Sequence, residues 1–174
     1  MRAAALDLYA EQGYEATTTA QIAERAGVTE RTYFRHFADK REVLFGGEEE
    51  LLATLTDAIA HASPELTALG VVQDALLAAV PLFVAGRPIA ERRAPIIAAS
   101  PALRERAHAK SATLTEAMSV ALERRGIPAP TARLAAQVGL AVFSRASAEW
   151  AGGSGAELEG CIRDAFAELR ALSG

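Results

Sequence analysis

Residues 18–40 read TTAQIAERAGVTERTYFRHFADK, and this stretch decides the fold. Two short helical segments meet at Ala26, Gly27 and Val28, and the second carries hydroxyl, aromatic and cationic side chains. Thr17, Thr18 and Thr19 offer an N-cap for the first segment, whose inner face holds Ile22, Ala23 and Ala26. Gly27 permits the left-handed turn between the segments, because it has no Cβ to clash at positive φ. Thr29 caps the second segment, expected through about His36, and Asp39 caps a further helix from Lys40. This is the layout of a helix-turn-helix, whose second helix is shaped to lie in a DNA major groove.

Working outward, the helix before this stretch covers Arg2 to Gln12, with Ala5, Leu8 and Tyr9 as its buried stripe and Gly13-Tyr14 as its end. Ala23 is small where the two later helices cross. Val28, Phe37 and Tyr33 point inward to the first helix, although Tyr33, like Phe34, also stays among the contact candidates. Thr29, Glu30, Arg31 and Thr32 then form the start of the recognition helix, the part that approaches base edges. Arg31 can read a guanine, since a guanidinium bonds O6 and N7 together. Glu30 can accept from a cytosine amine or stabilise the helix N-terminus. Thr18, Thr32, His36 and Lys40 carry donors that hold a protein on phosphates without reading sequence. The net charge of −4 does not oppose this, because it is not local. Within residues 29–41, Arg31, Arg35, Lys40 and Arg41 outnumber Glu30 and Asp39.

The block resembles the N-terminal domain of the TetR (tetracycline-repressor-type) family of bacterial transcriptional regulators. Over about residues 3–45 the resemblance rests on Gly13-Tyr14, Thr18, Ile22-Ala23, Ala26-Gly27-Val28, Thr32, Phe34, His36-Phe37, Lys40 and Leu44. It implies an all-α fold of about nine helices that works as a homodimer on a palindromic double-stranded operator. It also implies release by a small-molecule effector. The family's phosphate-contacting aromatic, histidine and lysine map onto Phe34, His36 and Lys40. Two departures stand out. Phe34 occupies a place that is often tyrosine, with Tyr33 one position earlier. The first helix begins almost at Met1, where relatives carry more residues and often a basic arm, so either the start is truncated, which is the expectation, or the protein forgoes that arm's contacts.

Residues 1–45 are therefore expected to be the DNA-binding domain and residues 46–174 a helical regulatory domain for ligand and dimer. Gly46-Gly47 weakens the fourth helix, which resumes through Glu48 to about Ala62. Ser63-Pro64 starts a segment to about Gly86, kinked at Pro81, and Arg87-Pro88 opens a short helix to about Ala99. Ser100-Pro101 starts a long helix to about Arg125, and Pro130 to Trp150 forms the penultimate one. Gly152 to Gly155 reads as a hinge before a last helix from Ala156 to about Leu172.

On the penultimate helix Leu134, Val138, Ala141 and Val142 share a face, as do Leu158, Ile162, Ala165, Phe166 and Leu169 on the last. A second copy could bury both stripes as a four-helix bundle, or they could pack within one chain. A ligand pocket is expected among the middle helices, lined by Phe83, Ile96, Ile97, Met118 and Phe143, with Arg93 or His108 as polar contacts. Such a lining suits a hydrophobic effector.

Other classes fit poorly. There is no Cys-x-x-Cys pair, His-Glu-x-x-His helix or phosphate-cradling glycine loop, and Gly152 to Ala156 fails the Gly-x-Ser-x-Gly elbow at its last place. Three dispersed histidines make no metal site, and no cofactor or enzymatic activity is expected. No apolar run approaches the roughly 18 residues of a membrane span. The single cysteine, Cys161, suits a reducing cytoplasm. Operator binding that a ligand weakens marks a repressor. Binding without release marks an activator or constitutive regulator, and no specific binding marks a ligand-binding protein with a degenerate head.

Overall fold

The structure, a computed structural model, describes residues 1–152 and 157–173. Among the described residues there are nine α-helices, one 3-10 turn and no strand. The N-terminal helices are α1 (Arg2–Gln12), α2 (Thr19–Arg25) and α3 (Glu30–His36), followed by a 3-10 turn at Glu42–Leu44. The longer helices are α4 (Glu48–His61), α5 (Ala68–Ala78), α6 (Val80–Ala99), α7 (Pro101–Arg124), α8 (Ala129–Ala151) and α9 (Leu158–Ser173). Most of the hinge expected at Gly152 to Gly155 lies outside the described residues. No single helix among the described residues is long and apolar enough to cross a membrane.

Three boundaries differ from expectation: the helix from Lys40, the start at Ser63-Pro64, which lies instead at Ala68 behind the Thr67 cap, and the break at Gly86-Arg87. No helix starts at Lys40: Asp39 Oδ1 accepts from the backbone N–H groups of Arg41 (2.7 Å) and Glu42 (3.1 Å), but only a short 3-10 turn with Arg41 at its N-cap follows. Gly47, at φ 89°, then turns the chain through the left-handed region, and α4 begins at Glu48. The break expected at Gly86-Arg87 is absent, α6 running through it to Ala99, and the kink expected at Pro81 is a break at Ala79. Pro81 has no N–H to offer Leu77, so α5 stops there and Pro81 falls in the first turn of α6, where a missing donor costs little. Pro88 and Pro95 sit within α6, both on its exposed side, where water can reach the carbonyls they leave unpaired.

The chain forms two compact units, Met1–Glu48 with Arg87–Lys110, and Glu49–Gly86 with Ser111–Gly174. The first has a core of Leu6, Tyr9, Ile22, Tyr33, Leu44 and Leu103, all nearly inaccessible to solvent. Charge ties Arg87–Lys110 to this core. Arg106 pairs with Glu42 at 2.6 Å, Lys110 with Glu48, and Arg92 with Asp7. Arg93 donates to the Leu44 carbonyl at 3.0 Å.

The second unit packs α5, α8 and α9 around Val72, Leu76, Ala136, Ile162 and Phe166. Arg125 closes the end of α4 by donating to the carbonyls of Ile59, Ala60 and Ser63, satisfying acceptors that a helix C-terminus leaves open. Gly139 lets α8 approach α5: a Cβ there would lie 2.2 Å from Val72 Cγ1. In a helix, Gly→Ala ordinarily gains about 1 kcal/mol. Here Val72 is fully buried and stiff at χ1, so the clash dominates. Gly139→Ala is expected to cost about 1–3 kcal/mol in urea unfolding, and Val72→Ala in that background should recover part of it. A stabilised Gly139→Ala protein would contradict the close approach.

Candidate nucleic-acid interface

The interface is built on caps. Thr18 begins α2 with a reciprocal arrangement: Thr18 Oγ1 accepts from Gln21 N at 3.2 Å, and Thr18 N donates to Gln21 Oε1 at 2.9 Å. Its neighbour Thr17 is buried instead and donates to the Gly13 carbonyl at 2.8 Å. Gly27 carries the turn at φ 68°, and Val28 N reaches back to the Ala23 carbonyl at 3.0 Å. Thr29 caps α3 by accepting from Thr32 N at 3.2 Å, and the two hydroxyls lie 3.0 Å apart. Glu30 accepts from Thr19 Oγ1 at 2.5 Å, which ties the start of α3 to the start of α2. That tether occupies one oxygen of the carboxylate expected to meet a cytosine.

Beyond the caps, α3 divides cleanly by exposure. Tyr33 is 0% exposed; its ring packs against Phe37 at 5.3 Å and its hydroxyl donates to the Asp39 carbonyl at 3.2 Å. Tyr33 is therefore corrected from contact candidate to core residue, because no duplex can reach it. Phe34 is 51% exposed and meets Tyr33 only edge-on. Arg31, Arg35 and His36 are exposed, and neither arginine makes an ion pair among the described residues. Arg35 was not singled out as a contact, although its i+4 spacing from Arg31 places both on one face. Lys40 is half-buried, and its Nζ donates to the carbonyls of Tyr14, Glu15 and Thr17.

Electrostatics around α3 follow from the same contacts. Burial pushes the Asp39 carboxyl up, but hydrogen bonds from the Arg41 side chain and from the backbone of Arg41 and Glu42 outweigh it. The carboxyl is left below its ordinary value. Burial, then Asp39, push the Tyr33 phenol up to about 12. Tyr9, whose hydroxyl donates to the Lys40 carbonyl, is raised further, chiefly by burial.

Of the seven expected ligand residues, four fall in the first unit and three in the second. Ile96 and Ile97 pack in the first unit's core, and Arg93 there holds the Leu44 carbonyl, its guanidinium shifted down by burial and by Arg2. His108, in the same unit, is exposed. Met118 is fully buried in the second unit, where Phe83 and Phe143 stack with centroids 4.4 Å apart. None of the seven lines the open groove of about 620 Å³ that α7 forms with Thr56, through Ala112, Glu116, Val120 and Arg124.

The two apolar stripes also part company. Leu158, Ile162, Ala165 and Phe166 are buried in their own chain against α5 and α8, which removes them from any surface offered to a second copy. Their alternation reflects internal packing. Leu169 is half-buried. On α8 Leu134 is 60% exposed and Ala141 exposed, with Val138 half-buried; Val142 leans on the core.

Residues 2–46 match the family described as bacterial regulatory proteins, tetR family. The regulator TcmR of Streptomyces glaucescens is 62% identical over 39 residues, 22% of this chain and 17% of that protein. YvkB, an uncharacterised HTH-type regulator of Bacillus subtilis, is 53% identical over 38 residues, 22% of this chain and 20% of that one. The match thus spans at most a fifth of either relative's length. Among solved structures, the TetR family regulator PfmR of Thermus thermophilus aligns with 94% of this chain and 92% of its own, at 22% identity and a TM-score of 0.49. FadR from the same organism, solved with lauroyl-CoA, aligns with 95% and 89%, at 18% identity and a TM-score of 0.47.

The raised Tyr33 phenol carries a pH dependence. Its stabilising effect is complete below about pH 10, where the phenol of the unfolded chain ionises. It is lost as the pH rises to about 12, where the folded one ionises. Denaturant titrations between these limits should show stability falling. Tyr33→Phe should make that fall shallower by one proton's worth while costing about 1 kcal/mol at neutral pH. An unchanged alkaline slope would place the ring in water.

Proposed function

We propose, from the match of residues 2–46 to the bacterial regulatory proteins of the tetR family, that the protein is a DNA-binding transcriptional regulator. We read it as a repressor that a small apolar ligand releases from a palindromic operator. One observation supports this reading most: α3 buries Tyr33 and turns Arg31 and Arg35 outward with no internal ion pair among the described residues. Two exposed guanidiniums in an acidic chain have lost none of their donors to the protein's own carboxylates. In this reading Arg31 meets a guanine edge, while Arg35, His36 and the Thr32 hydroxyl hold phosphates. Phe34 offers apolar contact, for which a thymine methyl is the natural partner.

The division of labour follows the chain: residues 1–45 bind DNA, and residues 46–174 regulate and pair. Two recognition helices spaced about one DNA turn apart read a palindrome better than one. The exposed face of α8, centred on Leu134 and Ala141, is the surface we assign to pairing. For the ligand to release DNA well, it must favour a non-binding arrangement by a few kcal/mol.

Selection from a randomised duplex pool tests the reading. The full chain is expected to enrich an inverted repeat, and Arg31→Ala to relax one position of each half-site by about 1–3 kcal/mol. A pool that stays random with the wild-type chain would refute DNA recognition altogether. Leu134→Glu combined with Ala141→Glu is expected to halve the sedimenting mass. A wild-type chain that already sediments as a monomer at micromolar concentration would remove the pairing surface from the scheme.

A further inference from the structure

We propose that Lys40 is a positioning residue: its ammonium locks the turn between α1 and α2, and thereby the start of α2, instead of touching a phosphate. The inference rests on the DNA-binding reading above, but its geometry stands by itself. An ammonium has three N–H donors. Lys40 Nζ meets three carbonyls of one turn, those of Tyr14 at 2.9 Å, Thr17 at 3.2 Å and Glu15 at 3.3 Å. The Tyr14 ring closes over it at 4.3 Å from the centroid. No donor is left for a phosphate oxygen. The other end of the residue is held too, since the Lys40 carbonyl accepts from the Tyr9 hydroxyl at 2.5 Å.

What the clamp holds explains its use. Three carbonyls aimed at one point repel each other unless a cation sits between them. The turn that aims them leads directly into Thr18, the cap of α2, whose backbone and hydroxyl both engage Gln21. Lys40 follows α3 in the chain, so it fastens the segment leaving α3 to the segment entering α2. The two helices are thus gripped from both sides. Arginine could not substitute: its donors lie in a planar fork and cannot converge on one point as an ammonium's do.

The test compares Lys40→Arg, Lys40→Met and, as a phosphate-contact control, Arg35→Met, all in the full chain. The probe is the tightest duplex that the wild-type chain recovers from a randomised pool, bound over a range of salt. Backbone amide exchange is followed at Thr18–Ile22. If Lys40 is a clamp, both of its variants lose about tenfold or more in affinity at every salt with the salt slope kept, and these amides exchange about tenfold faster. Arg35→Met should instead flatten the slope by about 0.9 and leave exchange alone. Wild-type binding by Lys40→Arg overturns the proposal, because a phosphate contact tolerates a guanidinium and a three-carbonyl clamp does not. A flattened slope with unchanged exchange in Lys40→Met overturns it as well. If the wild-type chain recovers no duplex, the DNA reading fails separately, and exchange still decides the clamp: unaltered protection in both variants refutes it.

Discussion

A helix of seven residues leaves most of its N–H and C=O groups without intrahelical partners and is not stable alone in water. What keeps α3 in place is the burial of Tyr33, whose ring lies in the first unit's core and whose hydroxyl reaches the Asp39 carbonyl. That single anchor also fixes the helix about its own axis. Successive residues turn by about 100°, so with Tyr33 inward, Arg31 and Arg35 fall almost opposite it. Phe34, one step round, is left half in solvent beside them. Rotation by one residue would turn Thr32 or Phe34 to the core, carry the phenol out of it and re-aim both guanidiniums. Every functional role assigned to α3 depends on this seating.

Around the anchor, the hydroxyl groups do local work first. Thr18 and Thr29 spend their oxygens on backbone N–H groups, and Thr19 holds Glu30. Residue types that donate to phosphates are also the best helix caps, because both tasks need a short side chain with an oxygen near the backbone. The same ambiguity touches Lys40, whose charge suggests a phosphate but whose ammonium finds three carbonyls nearer. Such preorganisation gives a small motif one shape before any partner arrives.

Elsewhere, packing is decided by size and by charge in different places. In the second unit Gly139 brings α8 close to α5, and Phe166 fills the space that small side chains leave. In the first, Arg92, Arg93, Arg106 and Lys110 reach Asp7, the Leu44 carbonyl, Glu42 and Glu48. With Ile96 and Leu103 buried in the same core, these polar ties hold Arg87–Lys110 to residues 49 to 85 positions earlier.

Local patterns in the sequence were sufficient for the helical class, an N-cap among Thr17, Thr18 and Thr19, the cap at Thr29, the left-handed turn at Gly27 and the family that residues 2–46 resemble. Each depends on neighbours within a few residues, where backbone sterics and capping geometry act. Tertiary structure alone decided which partners the side chains took. The period that marks Leu158, Ile162, Ala165 and Phe166 as one face is identical for a self-packed helix and a dimer helix. Only α5 and α8, distant in sequence, show that the face is already covered. Likewise spacing along the middle helices does not reveal that Ile96 is buried in the first unit's core and Met118 in the second's. Nor can spacing reveal that Lys40 meets carbonyls 23 to 26 residues earlier, since those distances are set by how three helices close upon one another.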